Sequence, residues 1–146
     1  MSDRSHLVGT WRMLTWRREF ADTGERIDAL GANPVGFVSY GADGRVHAIV
    51  VKSDRLAPRS LPPSSGEKLE LFDSMLAYAG TYTLHADHVV HHLDASWNQA
   101  WTGTDQIRFY KLDGSALEIW GAPAPDPYTG RIVVHRMTFE KWASKT

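Results

Sequence analysis

Eight short β-rich runs, each closed by a turn signal, constrain this chain more than any other feature. The runs are Leu7–Phe20, Val35–Tyr40, Arg45–Lys52, Gly80–His85, Val89–Trp97, Trp101–Leu112, Ala116–Trp120 and Arg131–Trp142. They are rich in Val, Thr, Tyr, Phe and Trp, which fit a pleated, half-buried surface. Between them stand Asn33-Pro34, Gly41-Ala42-Asp43-Gly44, Ala86-Asp87, Asn98-Gln99, Asp113-Gly114 and the stretch Ala122–Gly130. Asp-Gly between two such runs is the strongest of these hairpin signals. The pattern predicts an all-β fold of eight antiparallel strands, closed as an up-and-down barrel or stacked as a sandwich. Closure removes unpaired edges, and at eight strands it leaves room for side chains or one small ligand.

One segment departs from the pattern. Ser53–Ser65 carries three of the seven prolines and reads as loop. Gly66–Ala79 then places Leu69, Phe72, Leu76 and Ala79 at helical spacing, with acidic residues near its start, where negative charge suits a helix N-terminus. This predicts one short amphipathic helix beside the strands. The second proline-rich loop, Ala122–Tyr128, either rims the barrel mouth or is simply a long turn.

A chain of 146 residues fits a single domain over 1–146. The absence of cysteine excludes a disulfide framework, a zinc ribbon, an iron–sulfur cluster and a thiol nucleophile. Sixteen basic residues against seventeen acidic ones leave no excess charge to hold a phosphate backbone, so no nucleic-acid partner is expected. No apolar run has the length of a signal peptide or a membrane span, which reads as a soluble cytoplasmic protein with no membrane partner. The glycines form no nucleotide-binding pattern, and no nucleophile elbow is present. Seven histidines raise the thought of metal. Yet no His-x-His stands with a carboxylate, and adjacent His91 and His92 point to opposite faces of a strand, so no metal or other cofactor is expected.

Several stretches resemble the lipocalin-like domain family of short bacterial and fungal proteins. They are Leu7-Val8-Gly9-Thr10-Trp11, Pro34-Val35-Gly36 with Tyr40, Asp43-Gly44-Arg45, Ala77-Tyr78-Ala79-Gly80-Thr81-Tyr82, Val90-His91-His92 and Trp101-Thr102-Gly103-Thr104-Asp105-Gln106. The resemblance runs from Leu7 to about Arg136. It implies a cofactor-free, eight-stranded calycin-type barrel around a small-molecule cavity. It also implies that Trp11 closes the barrel floor beneath a basic residue near the last strand, with Arg136 the candidate for cation–π stacking there.

Alternation assigns faces to the strands. In Val89–Trp97, the set Val89, His91, Leu93, Ala95 and Trp97 is the more apolar and is expected inside. In the next run the set Trp101, Gly103, Asp105, Ile107 and Phe109 is expected inside, which brings Asp105 into the interior. In the last run Val133, His135, Met137 and Phe139 are taken as inward. That choice faces Arg136 outward, so its two placements compete. A hairpin centred on Gln99 sets Leu93 opposite Asp105 and His91 diagonal to it, within reach of a long side chain.

These placements define the candidate site. His91 with Asp105, and His135 nearby, could supply acid–base chemistry, because a carboxylate orients an imidazole that titrates near neutral pH. The competing reading is a structural internal pair. The rings Trp11, Phe37, Tyr40, Tyr82, Trp97, Trp101, Phe109 and Trp120, together with Met137, are the expected ligand-binding wall; six tryptophans are more than filling alone needs. The expected function is binding of one small hydrophobic or aromatic molecule. The alternative is a cofactor-independent isomerase, cyclase or lyase, and the third reading is a filled barrel with a structural role. A homodimer is left open.

Overall fold

The computed structural model describes residues 3–125 and 129–143. The chain begins with α1 (Asp3–Leu7) and continues into the long strand β1 (Gly9–Phe20). There follow β2 (Arg26–Asp28), β3 (Val35–Tyr40) and β4 (Arg45–Val51), then α2 (Ser65–Asp73). The second half comprises β5 (Met75–Leu84), β6 (His88–Ser96), β7 (Asp105–Asp113), β8 (Ala116–Trp120), β9 (Ala124–Pro125) and β10 (Ile132–Lys141). Of the predicted proline loop, Asp126, Pro127 and Tyr128 lie outside the described residues.

Neighbouring strands pair antiparallel from β1 through β3, β4, β5, β6, β7 and β8 to β10, and β10 pairs back onto β1. The sheet therefore closes into an eight-stranded barrel. The short strands β2 and β9 lie along β1 and β10. The closing seam runs from Trp11 opposite Lys141 to Phe20 opposite Val133.

Two irregularities set which side chains face inward. Between Met13 and Thr15 the β1–β10 register shifts by one residue at Leu14. Trp11 and Met13 face inward before the shift; Trp16, Arg18 and Phe20 do so after it. The second shift lies opposite Ala79 and Gly80 of β5, where Asp94 of β6 is left unpaired. A Cβ at Gly80 would collide with the His92 carbonyl oxygen, so only glycine fits where β5 meets the bulged strand β6.

The predicted helix is shorter than its periodicity implied. It stops at Asp73 with Ser74 as C-cap, and Met75–Ala79 belong to β5, paired with His47–Val51 of β4. Apolar residues at spacing three and four also alternate well enough to form a strand, and pairing with β4 decides the matter. No residue of α2 is buried. Its start is held instead by a capping box: the Ser64 hydroxyl accepts from the Glu67 amide and the Glu67 carboxylate from the Ser64 amide.

The core fills the lower half of the barrel. Leu7, Trp11, Val46 and Val89 are fully buried, with Met13, Tyr40, Tyr82, Leu117 and Phe139 packed among them. Each such side chain removed from water contributes about 1.5–3 kcal/mol. Helix α1 caps this end: Leu7 belongs to the core, and its carbonyl accepts from the Trp11 indole at 2.8 Å. The cation over Trp11 is Lys141, not Arg136. Its Nζ lies 4.6 Å from the ring centroid and donates to the Val8 carbonyl at 2.6 Å. Arg136 is on the outer face, over Trp120 and bonded to Glu19. Alternation from buried Phe139 through inward Met137 decides this placement.

Candidate functional site

His91 stands in the middle of β6, between Val89 and Leu93 on the same inward face. Its ring is 1% exposed. Tyr40 of β3 bonds its Nε2 at 2.7 Å, and Tyr78 of β5 bonds its Nδ1 at 2.7 Å. A neutral imidazole has one donor and one acceptor nitrogen, so one phenol donates to the ring and the other accepts from it. Burial first, and then the charges of Arg108 and His92, lower the His91 pKa to about 3. The ring is therefore neutral near pH 7, whereas a general base is best tuned near that pH. Burial also raises the phenol pKa values of Tyr40 and Tyr78, which stay protonated.

Asp105 does not join this group. It is exposed on the outer face, directly opposite His92, whose Nδ1 lies 2.8 Å from its carboxylate. The residue opposite His91 is Gln106. The reason is the connection after β6. Gln99–Trp101 form a turn of 3-10 helix, and Gly103 adopts a left-handed φ of +84°, which bends the chain into β7. The resulting register differs by one residue from a hairpin centred on Gln99, and one residue exchanges the two faces of a strand. The predicted inward set of β7 is thus its outer face, and Gln106, Arg108, Tyr110 and Leu112 point inward.

The predicted rings divide in the same way. Phe109 and Trp120 stack on the outer surface at 6.1 Å, with His88 on one side and Arg136 on the other. Phe37 faces outward against Trp142. Trp11, Tyr40 and Tyr82 face inward but are buried in the core, and the Tyr82 hydroxyl donates to the Gly41 carbonyl. Trp97 and Trp101 sit edge to face at the upper end, and Trp101 reaches to 6.2 Å from the Tyr78 ring. Met137 and His135 face inward from β10, and His135 Nδ1 accepts the Trp16 indole N–H at 3.1 Å.

Five of the inward residues that the sequence did not reveal surround this site. Trp16 and Arg18 sit beyond the Leu14 bulge, where strict alternation from Trp11 reverses. Gln106 and Arg108 sit on the misphased face of β7, and Tyr78 fell within the overextended helix. A cross-strand aromatic or polar partner for each was the available signal, but it requires the register.

Arg108 lies beside this cluster. Its guanidinium donates to Gln106 Oε1 at 3.2 Å and to the Ile107 carbonyl, and it also engages the Tyr78 hydroxyl. Near it, one residue past the end of β8, is Gly121, where an added Cβ would meet nothing closer than the guanidinium at 3.8 Å. Arg108, Gln106, Trp16, His135 and Met137 all face inward and are all half-buried. Water therefore reaches this part of the inner wall, above the buried core.

An open cleft of about 1150 Å³ lies at the same end, between Asp28–Gly31, the loop Lys52–Ser60 and α2. Neither His91 nor Arg108 lines it. Leu30 belongs to both regions, packing in the core cluster and lining the cleft.

The family model described as a lipocalin-like domain matches residues 8–141. A solved lipocalin-like protein from Bacteroides uniformis is similar at 17% identity and a TM-score of 0.47, over 93% of this chain and 98% of that one. An uncharacterized protein from Bacteroides eggerthii is similar at 14% identity and a TM-score of 0.45, over 93% and 99%. No curated protein matches the chain.

Proposed function

The chain belongs to the lipocalin-like domain family, and from that premise we propose that it binds one small apolar or aromatic molecule in the upper half of its barrel. One observation carries the reading. Inward residues on β1, β7 and β10 remain half-exposed although the sheet closes around them. Trp16 and Met137 offer an apolar wall on one side, with Arg108 and Gln106 opposite. Trp101 and Tyr78 provide rings near the rim. A largely apolar pocket with a few convergent polar groups suits a small organic ligand.

Acid–base catalysis by His91 with Asp105 has no such support. The two side chains are on opposite sides of the barrel wall, and both nitrogens of His91 are engaged by tyrosines. His91 instead fixes the positions of two phenols beneath the proposed binding region.

The test is titration with Nile red, a neutral apolar dye. Binding is expected to shift the dye emission to the blue, quench tryptophan emission and raise the thermal midpoint. At a dye concentration of about 100 Kd, the folded state gains roughly 2.7 kcal/mol. Absence of all three responses, for the dye and for a set of apolar compounds, means that the barrel is filled and the reading fails.

A further inference from the structure

The strands sort their charges by face. On the outer wall arginines meet carboxylates: Arg12 pairs with Glu140, Arg45 with Asp94, and Arg136 with Glu19 and Glu118. The strand carboxylates Glu19, Asp28, Asp94, Asp105, Asp113, Glu118 and Glu140 all lie on that wall. The polar inward positions carry tyrosines, histidines, Gln106, two arginines and, at the floor, Lys141, and no Asp or Glu occupies any inward strand position among the described residues.

Arg108 therefore differs from the outer arginines. All its partners are neutral, and no carboxylate meets it among the described residues. A cation drawn partly out of water without a counter-charge is costly unless a partner supplies the charge. His91 cannot be that partner, since it is neutral, and the phenols beside it remain protonated. Gly121 sets no side chain against the guanidinium, which would lie 3.8 Å from a Cβ added there.

We propose that the barrel ligand is an organic carboxylate, with its apolar body against Trp16 and Met137 and its carboxylate on Arg108. The inference rests on the binding function proposed above and adds the chemical class of the ligand. A planar guanidinium presents two parallel N–H donors to a carboxylate, which gives orientation as well as affinity. The Tyr78 hydroxyl and the Gln106 amide flank the same position.

The experiment compares 2-naphthoate with 2-naphthylmethanol, which share an aromatic body and differ in charge. Binding of each is measured by calorimetry to the wild-type chain and to Arg108→Gln and Arg108→Lys. The wild type is expected to favour the acid by about tenfold or more, as a charge-assisted contact implies. In Arg108→Gln the acid loses about tenfold more affinity than the alcohol, so the preference disappears, and Nile red binding reports whether the barrel still takes an apolar body. Arg108→Lys restores part of the preference. Equal binding of acid and alcohol by the wild type overturns the inference but leaves the binding function standing. So does a preference that survives in Arg108→Gln. Failure of both compounds and of Nile red overturns the two together.

Discussion

The His91 imidazole is enclosed by two phenols, with a guanidinium close by, and its response to acid is set by that enclosure. In the unfolded chain a histidine takes up a proton near pH 6.5. In the folded barrel burial, then Arg108 and His92, delay this to about pH 3. Between those values the unfolded chain binds one more proton, so stability is full above about pH 6.5 and falls as the pH drops. The slope attributable to this ring approaches about 1.4 kcal/mol per pH unit below pH 5.5. Urea unfolding at pH 5.5 and 4.5 should show that loss in the wild type beyond any loss in His91→Gln. Equal slopes in the two proteins would mean that His91 is protonated in the folded state. The inward place of His91 was legible, because apolar neighbours mark one face of its strand unambiguously. Asp105 was not legible. Both faces of its strand are mixed, and the turn before it adds a residue that the Asn98-Gln99 signal does not reveal.

Among the elements, strands were readable and their phases were not. Six of the eight runs coincide closely with strands, because alternation and turn residues act locally; the sixth was read too long, beginning at Trp101 where β7 begins at Asp105. The fourth was read too short, beginning at Gly80 where β5 begins at Met75. The bulges at Leu14 on β1 and at Asp94 on β6 are tertiary events, and each reverses the face of the residues beyond it. Helix α2 shows the same contrast. Its capping box is a sequence signature, yet its apolar residues remain exposed, Leu69 at 62% and Phe72 at 42%. A helix that buries nothing is stabilised by its own cap and depends little on the core. Ser64→Ala should therefore cost about 1 kcal/mol locally. Hydrogen exchange is expected to accelerate through Ser65–Asp73, while exchange of the β1–β10 seam and the global unfolding midpoint stay the same. A matching loss in the global midpoint would show that the helix belongs to the cooperative barrel.

For the molecule as a whole, closure separates two environments that the linear sequence interleaves. The net charge of the chain is −1, but that value averages an outer wall of matched ion pairs with an inner wall free of strand carboxylates among the described residues. Such a partition has a cost in the empty barrel, since the Arg108 cation is neither fully hydrated nor neutralised by an anion. Residues that serve binding commonly reduce stability in this way. Arg108→Met keeps a long side chain and removes the charge. It gives up bonds to Gln106, Tyr78 and the Ile107 carbonyl, but the Gln106 side chain is only half-buried and can turn to water, and the buried Tyr78 hydroxyl keeps its bond to His91. The unliganded variant should consequently be the more stable protein by about 1 kcal/mol, or roughly 2–4 °C in thermal midpoint. Addition of 2-naphthoate should then raise the wild-type midpoint and leave that of the variant nearly unchanged. A lower midpoint for unliganded Arg108→Met would identify the guanidinium as a structural tie between β5 and β7, and the charge partition would then serve the fold alone.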